Sequence, residues 1–198
     1  MLRAEEVRER YERIRAEIGP NVTLVAATKY VQPDELAVLG EAGIEVVGEN
    51  RAQDLAAKHE RYGDAFRWHF IGHLQSRKAK TVNDTCELVH SLSSESAARR
   101  LAIPALVEIN LAGEASKSGI APEELETFLA LYGDVRGLMT MPPATDDPET
   151  SRPYFRRLRE LAETHGLREL SMGTSQDYLV AADEGATLVR VGSVLYGR

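Results

Sequence analysis

Eight short apolar runs, each parted from the next by a helical or polar stretch, constrain this chain more than any other feature. They lie at Val22–Thr28, Ile44–Gly48, Trp68–Gly72, Glu87–Ser91, Ala105–Asn110, Gly137–Met141, Glu169–Met172 and Thr187–Val191. Most are continuously apolar rather than alternating with polar residues, the pattern of strands covered on both faces, as parallel sheets are. Helix starts fall between them. Pro33-Asp34-Glu35 and Ala121-Pro122-Glu123-Glu124 place proline in a first turn, and Ser93-Ser94-Glu95-Ser96 offers a capping hydroxyl. Strand and helix in alternation predict an α/β fold joined by parallel crossovers. Eight strands predict a single (β/α)8 barrel over residues 22–197, although 198 residues are few for one. A doubly wound open sheet is the rival, because periodicity does not encode closure.

Ahead of the first run, Val7, Tyr11, Ile14 and Ile18 recur at spacings of one helical face. The spacing predicts an amphipathic helix within residues 1–19, stopped by Gly19-Pro20. The segment mixes acids and bases and has no apolar core, so it does not read as a signal peptide. No apolar run approaches the roughly 18 residues of a membrane span. Twenty-four Lys plus Arg against 31 Asp plus Glu leave a net charge of -7, a poor match to nucleic acid or anionic membrane. Arg77-Lys78-Ala79-Lys80 reads as a solvated helix face. One cysteine, Cys86, rules out an intrachain disulfide. His69 and His73 are four apart, hence on one face of a strand, but lack an acid at metal-site spacing, so no metal is expected. Neither the dinucleotide nor the P-loop fingerprint occurs. Together these features predict a cytoplasmic globular domain.

In a barrel, chemistry belongs at the C-terminal ends of the strands. The first run leads straight into Lys29, one of five lysines with Lys58, Lys78, Lys80 and Lys117. The other four stand in polar or helical contexts where a solvated lysine is expected. Partial burial at a strand end would lower the pKa of Lys29 and suit it to condense with an aldehyde; a lysine snorkelling to water is the plainer alternative. After the last two runs come Gly173 with Thr174 and Ser175, and Gly192 with Ser193. Glycine lets backbone approach an anion, and hydroxyls with free N–H groups supply donors, where barrels often place a phosphate. An ordinary helix cap would look the same. Arg190 stands inside the eighth run, where it needs either a core ion pair or a heterocycle nitrogen as acceptor. A lysine, a phosphate cup and an internal arginine together match the aldehyde, phosphate and pyridine nitrogen of pyridoxal 5′-phosphate (PLP).

These residues sit in segments that resemble the pyridoxal phosphate homeostasis protein family, a relative of the alanine racemase barrel. The matching segments are VAATKY at 25–30, GENR at 48–51, WHFIGHLQSRK at 68–78, NLAGEASKSGI at 110–120, GLMTMPP at 137–143 and LSMGTSQDYLVAADEGATLVRVGSVLYG at 170–197. The resemblance implies a PLP barrel of fold type III without the C-terminal β domain of alanine racemases, acting as a monomer. It implies PLP held as a Schiff base on Lys29, with Arg190 on the pyridine nitrogen. Ser175, Gly192 and Ser193 would hold the phosphate, Met172 and Gly173 would shape the same wall, and Asn50 and His73 would line the mouth. The implied role is vitamin B6 homeostasis, as a PLP reservoir or carrier that supplies apo PLP-dependent enzymes, with effects on amino-acid balance and no established reaction. Departures from the family pattern are Thr174 in place of Met, Arg77 in place of Asn, a short segment 93–103, and an end at Arg198.

The alternative is a PLP-dependent amino-acid racemase. Racemisation needs an electron sink and an acid/base group on each face of the substrate carbon. Arginine beside the pyridine nitrogen weakens the sink. Lys29 could serve one face; for the other, Tyr30, Tyr178, Tyr196 or His73 would have to stand in for the tyrosine that racemases take from their second domain.

Overall fold

The computed structural model describes residues 2–114 and 118–197. Lys117 and the middle of the 110–120 motif lie outside them. All eight strands form: β1 Thr23–Ala27, β2 Val46–Glu49, β3 Arg67–Phe70, β4 Leu88–Leu92, β5 Ala105–Glu108, β6 Val135–Met139, β7 Glu169–Ser171 and β8 Leu188–Val191. Each pairs in parallel with its sequence neighbour, and β8 returns to β1 through Val25↔Arg190 and Ala26↔Val191, closing the barrel. The open-sheet rival is excluded.

Helices α1 Ala4–Ile18, α2 Leu36–Glu41, α3 Ala52–Tyr62, α4 Ala79–Thr85, α5 Glu95–Ala98, α6 Leu125–Leu131, α7 Arg152–Thr164, α8 Tyr178–Asp183 and α9 Ser193–Tyr196 wrap it. Along α1, Val7, Ile14 and Ile18 are buried and Tyr11 is half-buried. The short crossover after β4 folds as α5, where the Ser94 hydroxyl accepts from the Ala97 N–H at 3.3 Å. One turn is enough: β4 and β5 still pair, with an irregular register between Val89 and Leu92.

The continuous apolar runs bury two faces in two separate cores. Leu24, Val47, Trp68, Val89, Val107, Leu138 and Val189 face the helices and join Ile14, Leu36, Leu55 and Phe155 in one cluster. Val25, Val46, Leu88, Leu106, Met139 and Leu188 form a smaller cluster inside the barrel. The interior is tight where glycine meets backbone: a Cβ on Gly137 of β6 would lie 1.8 Å from the Glu169 carbonyl oxygen of β7. Gly137→Ala is therefore expected to force β6 from β7 and to lose about 3 kcal/mol or more. The midpoint of urea unfolding measures it, and an unchanged midpoint would contradict this close contact.

Candidate functional site at the C-terminal mouth of the barrel

The ends of β1, β2, β6, β7 and β8 surround a cavity of about 480 Å³. Lys29, Asn50, Ser175, Arg190, Gly192 and Ser193 line it, beside Tyr30, Thr174 and Tyr196. Six of the nine residues singled out for the cofactor thus meet in one place, although they span the chain from residue 29 to residue 193.

Three of the nine stand elsewhere. Met172 is fully buried in the core between barrel and helices, so it supports the wall from behind. Gly173, at φ +91°, turns the chain out of β7, and a Cβ there would meet the Ala181 Cβ at 2.5 Å. His73 is exposed and lines a neighbouring cavity of about 360 Å³ with Arg51, Gln75, Arg77 and Lys78; Asn50 is shared between the two. His69 and His73 do not share a strand face, because β3 ends at Phe70.

The expected burial of Lys29 is not found. It is exposed at the mouth, with Nζ 4.8 Å from the Tyr30 ring centroid. Its neighbour on the chain explains why it is held there. Thr28 is buried and donates from Oγ1 to Glu49 Oε1 at 2.6 Å, anchoring the end of β1 to the end of β2. The same carboxylate is ion-paired to Lys58, whose Nζ also donates to the Thr28 carbonyl at 2.8 Å. Lys58 was expected on a solvated helical face; it is 3% exposed. Its place on the barrel-facing side of α3, next to His59 and four residues from Tyr62, was not separable by residue type from the exposed positions around it.

Arg190 takes neither of the partners proposed from sequence within the chain itself. Its Nη1 donates to the Ser171 carbonyl at 3.0 Å and to the Ser171 hydroxyl; Nη2 donates to the Thr140 carbonyl at 3.1 Å and contacts Met141 Sδ at 3.0 Å. Among the described residues its Nε–H has no hydrogen-bond partner. Burial pushes the guanidinium down to about 10, against the pull of Glu108 and Asp177, so it is charged at neutral pH. Glu108, at the end of β5, is 5% exposed and accepts from Ser118 Oγ at 2.6 Å. Burial raises its carboxyl above the ordinary range. Sequence reasoning missed this group; its signal was an acid closing an otherwise apolar strand.

Opposite, Ser175 Oγ accepts from the Gly192 N–H at 3.0 Å and the Val194 N–H at 3.5 Å. These two backbone donors at the start of α9 converge on one oxygen, the arrangement a phosphate oxygen needs. Asn50 Oδ1 is buried without a partner on the rim of the same cavity, so a polar ligand atom is what the site lacks. Thr174, the departure from the family pattern, is satisfied locally: its N–H and its hydroxyl both donate to Asp177 Oδ1, at 2.7 and 3.0 Å. Residues, donors and spacing fit PLP. Tyr178, one of the tyrosines considered for proton transfer, is buried and donates to Glu17 at 2.6 Å.

A larger cavity, about 620 Å³, opens at the N-terminal ends of the strands among Arg67, His69, Glu87, Arg136 and Glu169. No lysine or glycine-hydroxyl loop lines it. Glu87 there is held down to about 2 by the hydrogen bond from His69, with Arg67 adding to the effect. The sign is that of a depressed carboxylate: its contribution to stability is full above the ordinary 4.5 and lost as pH falls toward about 2. The Tm difference between the protein and Glu87→Gln is thus expected to be constant at neutral pH and to shrink through that window. A difference that persists to the acid end would contradict it.

The alanine racemase N-terminal domain family matches residues 2–198. A pyridoxal phosphate homeostasis protein of Aquifex aeolicus is 39% identical, covering 92% of this chain and 90% of that one. One from Pseudomonas aeruginosa is 36% identical over 89% of this chain and 84% of its own length. Among solved structures, PipY of Synechococcus elongatus with PLP bound is 31% identical with a TM-score of 0.85, covering 96% of this chain and all of that one. Alanine racemase of Corynebacterium glutamicum, 17% identical with a TM-score of 0.77, shares the fold; this chain covers 61% of it. Among the described residues no helix is long and apolar enough to cross a membrane. With a closed eight-stranded barrel, a lysine at the end of β1 and a match along nearly its whole length, this chain belongs to the alanine racemase N-terminal domain family, among the pyridoxal phosphate homeostasis proteins.

Proposed function

We propose that the chain binds PLP at the C-terminal mouth and serves as a reservoir or carrier in vitamin B6 homeostasis. The observation that carries the reading is the convergence of Lys29, Arg190 and the Ser175–Gly192–Val194 cradle on one cavity. Lys29 Nζ would hold the aldehyde carbon covalently, with loss of water. The N–H groups of Gly192 and Val194, with the hydroxyls of Ser175 and Ser193, would hold the phosphate. Arg190 would donate its Nε–H to the pyridine nitrogen, and Asn50 would close the rim. His73 belongs to the outer, neighbouring cavity. When bound, the cofactor supplies an electrophilic carbon and an electron sink.

A carrier suits the site better than a racemase. A cation at Arg190 keeps the adjacent nitrogen unprotonated and weakens the sink. Tyr178 is tied to Glu17, away from the mouth. Tyr30 beside Lys29 is 70% exposed, so the mouth stands open, which favours handing over the cofactor and disfavours chemistry that needs water excluded.

Two measurements test this. Addition of PLP to the purified protein is expected to produce a visible absorption band, and borohydride reduction followed by peptide mapping is expected to place the label on Lys29. The loaded protein is then mixed with an apo PLP-dependent enzyme. Activity should return faster than free cofactor, released at its measured off-rate, can restore it. Equal rates would sink the carrier role, and a label on another lysine would sink the site.

A further inference from the structure

The barrel interior is not wholly apolar. On the inward faces of β3, β4, β7 and β8 stand His69, His90, Ser171 and Arg190, between 0% and 6% exposed. They touch in sequence. His69 Nε2 lies 3.0 Å from Glu87 Oε1, His69 Nδ1 lies 2.8 Å from His90 Nε2, and His90 Nδ1 lies 2.7 Å from Ser171 Oγ, which accepts from Arg190 Nη1. Glu87 opens on the cavity at the N-terminal mouth, and Arg190 lines the cavity at the C-terminal mouth. The contacts therefore run the length of the interior.

Both ends of this row admit one direction only. A guanidinium donates and never accepts; an ionised carboxylate accepts and never donates. Glu87 is ionised, being paired with Arg67 at 2.7 Å as well as with His69. With neutral rings, His69 must carry its proton on Nε2 to serve Glu87, which leaves Nδ1 as acceptor. His90 must then donate from Nε2 and accept at Nδ1, so the Ser171 hydroxyl must donate to His90. That leaves a Ser171 lone pair for Arg190, where the guanidinium arrives. Burial drives the His90 ring toward its neutral form, with the charge of Arg190 acting the same way. Every polar hydrogen in the row has one acceptor, and the two ends agree on the assignment.

We propose that Glu87, His69, His90 and Ser171 form one oriented hydrogen-bonded chain that holds Arg190 toward the cofactor and carries cofactor occupancy to the opposite mouth of the barrel. This rests on the reading above, in which Arg190 meets the pyridine nitrogen. Hydrogen bonds in such a row polarise one another. When the guanidinium gains an acceptor, its donation to Ser171 changes, and the change passes through His90 to His69. The four are positioning residues: none lines the cofactor cavity, and each acts through the next.

The test is nitrogen NMR of the full-length protein labelled at histidine, with and without PLP, while absorption reports cofactor binding in the same samples. The chain requires Nε2–H tautomers at both His69 and His90 at neutral pH without PLP. On loading, the ring signals of both should shift. In Ser171→Ala the PLP band should still form, with affinity lowered about three- to tenfold, while the signals of His69 and His90 stay in place on loading. Glu87→Gln keeps an acceptor for His69, so that single variant should retain the response that Ser171→Ala loses.

An Nδ1–H tautomer or a doubly protonated ring at either histidine overturns the orientation, and needs no variant to be seen. Band formation with unmoved histidine signals in the unaltered protein overturns the coupling alone. Failure to form the band at all overturns the functional reading, and the coupling with it.

Discussion

Lys29→Ala is expected to keep its fold and lose the cofactor's covalent hold. Lys29 is exposed at the end of β1 and supports no core contact, so its truncation belongs to the surface substitutions that change stability by about 0.5 kcal/mol or less. The visible band and the borohydride-stable label should both vanish. The backbone cradle of Gly192 and Val194, together with Arg190, remains, so PLP should still bind without a covalent link. An affinity loss of at least about 100-fold is expected, or roughly 2.7 kcal/mol. Equilibrium dialysis measures it beside the spectrum. Retention of the band in this variant would move the cofactor to another amine and undo the site.

The second large effect lies behind that lysine. Lys58→Met should destabilise the protein by about 3–5 kcal/mol, because it leaves the buried Glu49 carboxylate without its counter-ion. For a chain of this size that corresponds to a Tm lowered by roughly 6–20 °C. Glu49 has 0% exposure, and it also accepts from Thr28 Oγ1 at 2.6 Å and from the Asn50 N–H at 3.3 Å. Its loss of balance therefore reaches both residues next to the cofactor site, Lys29 through Thr28 and Asn50 directly. The double variant Glu49→Leu, Lys58→Met removes both charges and should recover much of the loss, since an apolar pair of similar volume avoids the desolvation of two ions. Thermal unfolding of the two singles and the double closes a mutant cycle. Simple additivity would show that the two groups do not act as a pair, against the geometry.

The row of interior polar groups and the Glu49–Lys58 pair share one reason for escaping a sequence reading. Hydrophobic period reports which residues are buried, and buried apolar strands tolerate isolated polar residues that look like interruptions. His69 sits in a run that is otherwise apolar and His90 follows the apolar pair Leu88-Val89, and what gives them meaning is their partner. His90 and Ser171 are 81 positions apart. No spacing rule joins them; only the closure of β4 against β5 and β6 against β7 brings both side chains to the same height inside the barrel. Lys58 is nearer to Glu49, nine positions away, yet its burial depends on α3 turning that face toward the end of β2. His73 shows the reverse error. Four residues from His69, it was placed on the same strand face, but β3 ends at Phe70 and the loop carries His73 out to solvent.

The local chemistry was legible. Eight apolar runs of strand length, with proline and serine at helix starts, determined the order and type of the elements, because burial on two faces and capping are properties of a few adjacent residues. The same holds for Lys29 after the first strand and for the glycine-hydroxyl loops after the last two, which strand order alone sends to one end of a parallel barrel. What only the tertiary structure decided was closure through Val25↔Arg190, the exposure of Lys29, the burial of Lys58 and the interior row from Glu87 to Arg190. These are facts about which distant groups share a low-dielectric interior. A charge or hydroxyl there is defined by the acceptor it meets, and the identity of that acceptor is set by strand register around a closed ring.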